Sequence, residues 1–107
     1  MLYAVNLFDL IAGKEDVYRE YVRQTYPLTQ GIDMQHIAAG CPPSSHLKGE
    51  GRSHFIIMRF GSQDDFDTLM SRQKAHNVSK LREEATKNYM WTLYTNWDIN
   101  SWLTIDK

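Results

Sequence analysis

Between Leu2 and Leu10 apolar residues fill both phases of an alternation, Tyr3, Val5 and Leu7 on one side and Leu2, Ala4 and Phe8 with Asn6 on the other. That pattern predicts a strand covered on both faces. Gly13 ends it. From Lys14 the positions Val17, Tyr18, Tyr21, Val22 and Thr25 recur at spacings of three and four, one face of a helix that Pro27 and Gly31 close. Residues 34 to 39 can form a strand, and residues 40 to 51 are dense in turn formers and read as a loop. Ser53 to Phe60 is the clearest strand. Ser62, three residues before Asp65, resembles a capping box ahead of a helix with Phe66, Leu69 and Met70 inside. The pattern falters between Ala75 and Val78, then Val78, Leu81, Ala85 and Tyr89 resume a helical period, and Trp91 to Ile99 alternates as a last strand.

The order β-α-β-β-α-β predicts an α+β fold of the ferredoxin-like kind, a four-stranded antiparallel sheet with helices on one face. Residues 1 to 107 are expected to form a single domain. Tyr3, Phe8, Phe55, Ile57, Trp91 and Trp97 cannot all point at two helices, so apolar side chains should also line the uncovered face. Two such faces packed about a two-fold axis would close a dimeric α/β barrel, so a homodimer is expected.

Composition narrows the function classes. Twelve basic against 13 acidic side chains, a net charge of −1, give no electrostatic footprint for nucleic acid or an anionic membrane. The Ser53 to Phe60 strand also lacks the aromatic-glycine pattern of an RNA-recognition sheet. No apolar run approaches the ~18 residues of a membrane helix. The single cysteine, Cys41, and an opening segment without a basic leader point to a cytoplasmic protein. Cys41 sits beside two prolines in a loop that promises no rigid base, and the glycines there form no phosphate-binding fingerprint.

Four histidines, His36, His46, His54 and His76, lie 10, 8 and 22 residues apart. None makes the short ligand pair of a zinc site, and no metal is expected. A cleft between sheet and helices would suit an imidazole as proton-transfer group. His36 and His54, on neighbouring strands, are the candidates, with His76 at the helix break. Arg59 within an apolar strand needs a carboxylate or a ligand anion; Asp9, Asp98 or a dimer mate could supply it. Asn6 can orient a ligand carbonyl or bridge backbone groups. Tyr18, Tyr21, Tyr26, Tyr94, Trp91, Trp97 and Trp102 supply flat surfaces with polar tips, a lining suited to a small aromatic molecule.

The element order, the Asp65-Asp-Phe-Asp-Thr-Leu-Met-Ser71 helix start, His76 after it and the aromatic last strand resemble the dimeric α/β barrel superfamily. The Tyr3-Ala-Val-Asn-Leu-Phe-Asp9 opening is similar to that of RedY-like proteins of prodigiosin-type and other pyrrole or indole pigment pathways. The resemblance implies a small homodimer acting on an aromatic heterocyclic intermediate in a cyclisation, dehydration or condensation step, with no cofactor. His54 would be the first acid or base and His36 the second, with Asn6 or Tyr94 orienting and Tyr26, Arg59, His76 and Trp97 also touching substrate. Three other functions stay open on the same barrel: a cofactor-free monooxygenase, a haem-binding protein with His76 as axial ligand, and a non-catalytic ligand-binding module.

Overall fold

A computed structural model describes residues 1 to 104. Strand β1 spans Leu2–Leu10, helix α1 Glu15–Thr25, strand β2 Met34–Gly40 and strand β3 His54–Phe60. Helix α2 spans Gln63–Ala75, helix α3 Ser79–Ala85, strand β4 Thr86–Thr95 and the short helix α4 Ile99–Leu103. A 3₁₀ turn over Tyr26–Thr29 continues α1. The sheet order is β2-β3-β1-β4 and every pairing is antiparallel, the ferredoxin-like arrangement.

Local chemistry accounts for the boundaries. Ser62 caps α2, its hydroxyl accepting from the Asp65 amide and donating to the Asp65 carboxylate. Asn77, with φ of 55°, and Val78 separate α2 from α3. Arg72 donates to the carbonyls of Leu28 and Gln30, tying α2 to the end of the 3₁₀ turn.

Register sets the two sheet faces. Toward the helices lie Ala4, Asn6 and Phe8 of β1, all buried, with Met58 and Ile56 paired across on β3 and Leu93 and Trp91 on β4. Ala4, Phe60 and Leu69 form the centre of the core, with Phe66 and Met70 packed around it. The opposite face carries Tyr3, Val5 and Leu7 beside Arg59, Ile57 and Phe55, and then Tyr94, Thr92 and Met90. The expected spread of aromatics over both faces is therefore present with a different division. Phe8 and Trp91 belong to the helix face, Tyr3, Phe55 and Ile57 to the open one.

Two expectations fail near the C-terminal end. Strand β4 begins at Thr86, not Trp91, so Tyr89 is a strand residue rather than part of a helical stripe. A bulge between the Leu7 and Asp9 pairings accommodates Asn88 at φ of 53°, a conformation asparagine tolerates. The strand also stops at Thr95. Asp98 accepts from the Ser101 amide and caps α4, so Trp97 and Ile99 are not in the sheet.

Phe8 is 1% exposed and stacks on Tyr18, His54 and Tyr89 at ring separations of 5.3, 5.4 and 5.3 Å. Phe8→Ala removes the shared neighbour of three rings and is expected to cost about 3–5 kcal/mol in urea denaturation. A loss under about 1 kcal/mol would show that the stack contributes little beyond an ordinary surface site.

Candidate functional site

A cavity of about 300 Å³ opens between the sheet and helices α1 and α2. That is the lower end of the range for small-ligand pockets, sufficient for one or two fused rings. Asn6, Ile56 and Trp91 of the sheet form part of its floor. Tyr18, Tyr21 and Thr25 of α1, Gln73 of α2 and Tyr89 of β4 supply walls, and His36 and Tyr26 stand at the edge.

The polar groups in this apolar setting are organised. Asn6, 2% exposed in the middle of β1, donates from Nδ2 to the Ile56 carbonyl at 3.3 Å and accepts the Tyr89 hydroxyl at Oδ1 at 2.6 Å. Gln73, 4% exposed, donates from Nε2 to the Tyr21 hydroxyl at 3.2 Å and to Thr25 Oγ1 at 3.4 Å. The Arg82 guanidinium of α3 lies over the rings of Trp91, Tyr89 and Tyr21, 5.1, 5.3 and 5.8 Å from their centroids. Trp91 Nε1 is buried and meets no acceptor among the described residues.

Burial is the main force on the phenols. It raises Tyr18 and Tyr89 far above the ordinary phenol value, the neighbouring tyrosines add to the rise, and Arg82 opposes it. Both hydroxyls therefore stay protonated and serve as hydrogen-bond donors or acceptors, not as bases.

Of the residues expected at the site, the cavity brings together Asn6, His36 and Tyr26. His54 stands elsewhere. His36 pairs with Met58, four residues along β3 from His54, which separates the two imidazoles by roughly 13 Å of strand. His54 instead stacks on Phe8, receives or gives a hydrogen bond at Nδ1 with Ser53 Oγ at 2.7 Å, and lines a wider cleft of about 710 Å³ under the loop with Cys41 and His46. Arg59 lies on the open face, where its partner is Asp33 at 2.8 Å rather than Asp9 or Asp98. Asp9 instead accepts from the Ser53 amide and from Asn88. His76 is the exposed C-cap of α2. Tyr94 is 54% exposed on the open face, and Trp97, 62% exposed, packs edge-on against Trp102 beyond the sheet. Tyr94 misses the cavity by the one-residue alternation of a strand, Trp97 because the chain has already left the sheet.

Gln73, Tyr89 and Arg82 complete the site without having been singled out from sequence. A signal for Gln73 existed: the stripe Phe66, Leu69, Met70 continues at helical spacing onto a carboxamide. Among the described residues no three His, Cys, Asp or Glu side chains converge as a metal site, and no helix is long and apolar enough to cross a membrane.

The sequence matches no protein-family model and no curated protein. Solved structures do resemble it. A protein of unknown function from Rhodopseudomonas palustris superposes with a TM-score of 0.74 at 14% identity, covering 91% of this chain and 82% of that one. A dimeric ferredoxin-like protein of unknown function from Thermobifida fusca gives 0.62 at 10% identity, covering 89% and 90%. A proposed antibiotic biosynthesis monooxygenase from Deinococcus radiodurans gives 0.65 at 12% identity, covering 92% and 94%. At such identities the likeness establishes the ferredoxin-like fold and carries no substrate.

The raised tyrosines yield a pH dependence. A phenol whose folded value exceeds its unfolded one contributes stability that is complete below the unfolded value, about pH 10, and is lost as pH rises through the folded value. Urea midpoints should therefore fall steeply above about pH 10, and less steeply in Tyr18→Phe and Tyr89→Phe. Parallel profiles for wild type and both variants would show these phenols to be unperturbed.

Proposed function

We propose that the chain is a small-molecule protein of secondary metabolism that takes a flat aromatic heterocycle, of pyrrole or indole type, into the cavity between its sheet and helices. The single observation that supports this is the cavity's lining: five aromatic rings, with two buried carboxamides each held by a tyrosine hydroxyl. Aromatic walls position a planar ring and exclude water, while fixed polar atoms set its rotation. His36 is the imidazole that borders this space and takes the acid/base role first assigned to His54. The RedY-like reading and a place in pigment biosynthesis rest on the sequence resemblance.

The same proposal includes a homodimer of single-domain chains. Val5, Ile57 and Thr92 form a row across the open face, with Leu7, Phe55 and Met90 beside it. A contiguous apolar face of this kind is an association surface, and a dimeric ferredoxin-like protein is among the similar structures. Cofactor-free oxygenation is the second reading, favoured by the resemblance to the Deinococcus radiodurans protein, and is separated by dioxygen uptake in the presence of substrate.

Indole, titrated into nitrogen-15-labelled protein, is expected to shift the Trp91 side-chain N–H resonance and leave those of Trp97 and Trp102 in place, with Trp91→Phe supplying the assignment. Movement of the Trp97 and Trp102 signals alone would place the ligand elsewhere. For oxindole in heavy water, exchange of the acidified C3 proton should be accelerated by wild type and fall by about 10²–10⁴-fold in His36→Ala. Equal exchange by both proteins, with binding retained, would assign the chain to ligand binding without proton transfer.

Sedimentation at micromolar concentration tests the dimer. Wild type should run as two copies and Ile57→Arg as one, because a guanidinium in the centre of a packed apolar face has no partner. A wild-type protein that is already single rules the paired sheets out.

A further inference from the structure

The hydrogen bonds around Gln73 leave a specific remainder. Its Nε2 is engaged by the Tyr21 hydroxyl and Thr25 Oγ1, while its Oε1 accepts from no described residue. The Tyr21 hydroxyl, accepting from Gln73, donates to no described residue. Gln73 is 4% exposed, and both side chains line the cavity. The Gln73 oxygen opens onto the cavity instead of being sealed in as Trp91 Nε1 is, so it and the Tyr21 hydroxyl are the groups with hydrogen-bonding capacity left for an occupant.

Rotating the amide by half a turn does not change this. The oxygen then accepts from the Tyr21 and Thr25 hydroxyls, the Gln73 amino group becomes the free donor, and the tyrosine oxygen becomes the free acceptor. In either orientation the pair offers one donor and one acceptor side by side. A ligand with only acceptors, or only donors, leaves one of the two unsatisfied.

We propose that Gln73 and Tyr21 are the specificity pair of the cavity and read a ring edge that carries a donor next to an acceptor, the N–H and C=O of a lactam or the equivalent N–H and carbonyl of a pyrrole carboxaldehyde. This rests on the cavity being the ligand site, and it adds the chemical class: a carbonyl-bearing nitrogen heterocycle, not a plain hydrocarbon or an unfunctionalised ring. Asn6 does not compete for the role, because its oxygen and amino group already have Tyr89 and the Ile56 carbonyl.

Three probes of similar shape separate the possibilities: oxindole with donor and acceptor, N-methyloxindole with the acceptor alone, and indole with the donor alone. Affinities are read from the Trp91 side-chain resonance in wild type, Gln73→Leu and Tyr21→Phe. Oxindole should bind wild type about tenfold more tightly than either other probe, since one hydrogen bond to the pair is at stake. In both variants the ratio of oxindole to N-methyloxindole affinity should collapse toward one. Tyr21→Phe, which removes one oxygen from a half-buried ring, carries the test if Gln73→Leu fails to fold. Equal binding of oxindole and N-methyloxindole with a shifted Trp91 resonance overturns the specificity pair and leaves the cavity as ligand site. No shift with any probe overturns both.

Discussion

A carboxamide in the centre of an apolar strand holds this structure together. Asn6 sits where alternation calls for a large hydrocarbon, and burying an unbonded amide there would cost several times what a packed side chain contributes. It is tolerated because both ends are bonded, one to the carbonyl of Ile56 on β3 and the other to the hydroxyl of Tyr89 on β4. Those two bonds span three adjacent strands. They tie the register of β1 to both neighbours, and a slip of one residue would turn the amide to the open face and leave Tyr89 without its acceptor.

The cavity follows from the same choice of residues. Asn6 is short, so the floor of the cavity is low in the middle of β1, while Tyr18, Tyr21 and Tyr89 rise around it. Helix α1 covers this region with tyrosines rather than leucines, and α2 presents Gln73 where its apolar stripe would continue. Aromatic rings stacked at Phe8 keep the walls apart from below, and Arg72 anchors the 3₁₀ turn beside the opening. Rigid side chains with few rotatable bonds keep the cavity walls in place, and Gln73 and Asn6 fix the hydroxyls of Tyr21 and Tyr89.

Much of this was legible in the chain. Double-phase alternation marked β1, a Ser-to-Asp cap marked α2, and the break at Ala75 to Val78 marked the start of α3. The aromatic character of the cleft was legible too, in Tyr18, Tyr21 and Trp91. The β4 boundary was not, because α3 runs directly into β4 with no glycine or proline at the junction and because the bulge at Asn88 breaks the alternation that would have revealed Tyr89 as a strand residue. Trp97 looked like a continuation of the same alternation, and only the Asp98 to Ser101 cap, itself readable as a helix start, shows the chain turning away. For the histidines the strands were legible and the register between them was not. Antiparallel pairing sets His36 opposite Met58 at the cavity and carries His54 to the far end. Neither composition nor periodicity specifies that offset.

The most direct measurement is the set of intermolecular NOEs between bound oxindole and the protein. A ligand held between sheet and helices gives contacts from its ring protons to the rings of Tyr18, Tyr89 and Trp91 and to the Met58 methyl group. Contacts confined to Trp97 and Trp102, or to Ile57 and Phe55 of the open face, would contradict a binding site inside the fold.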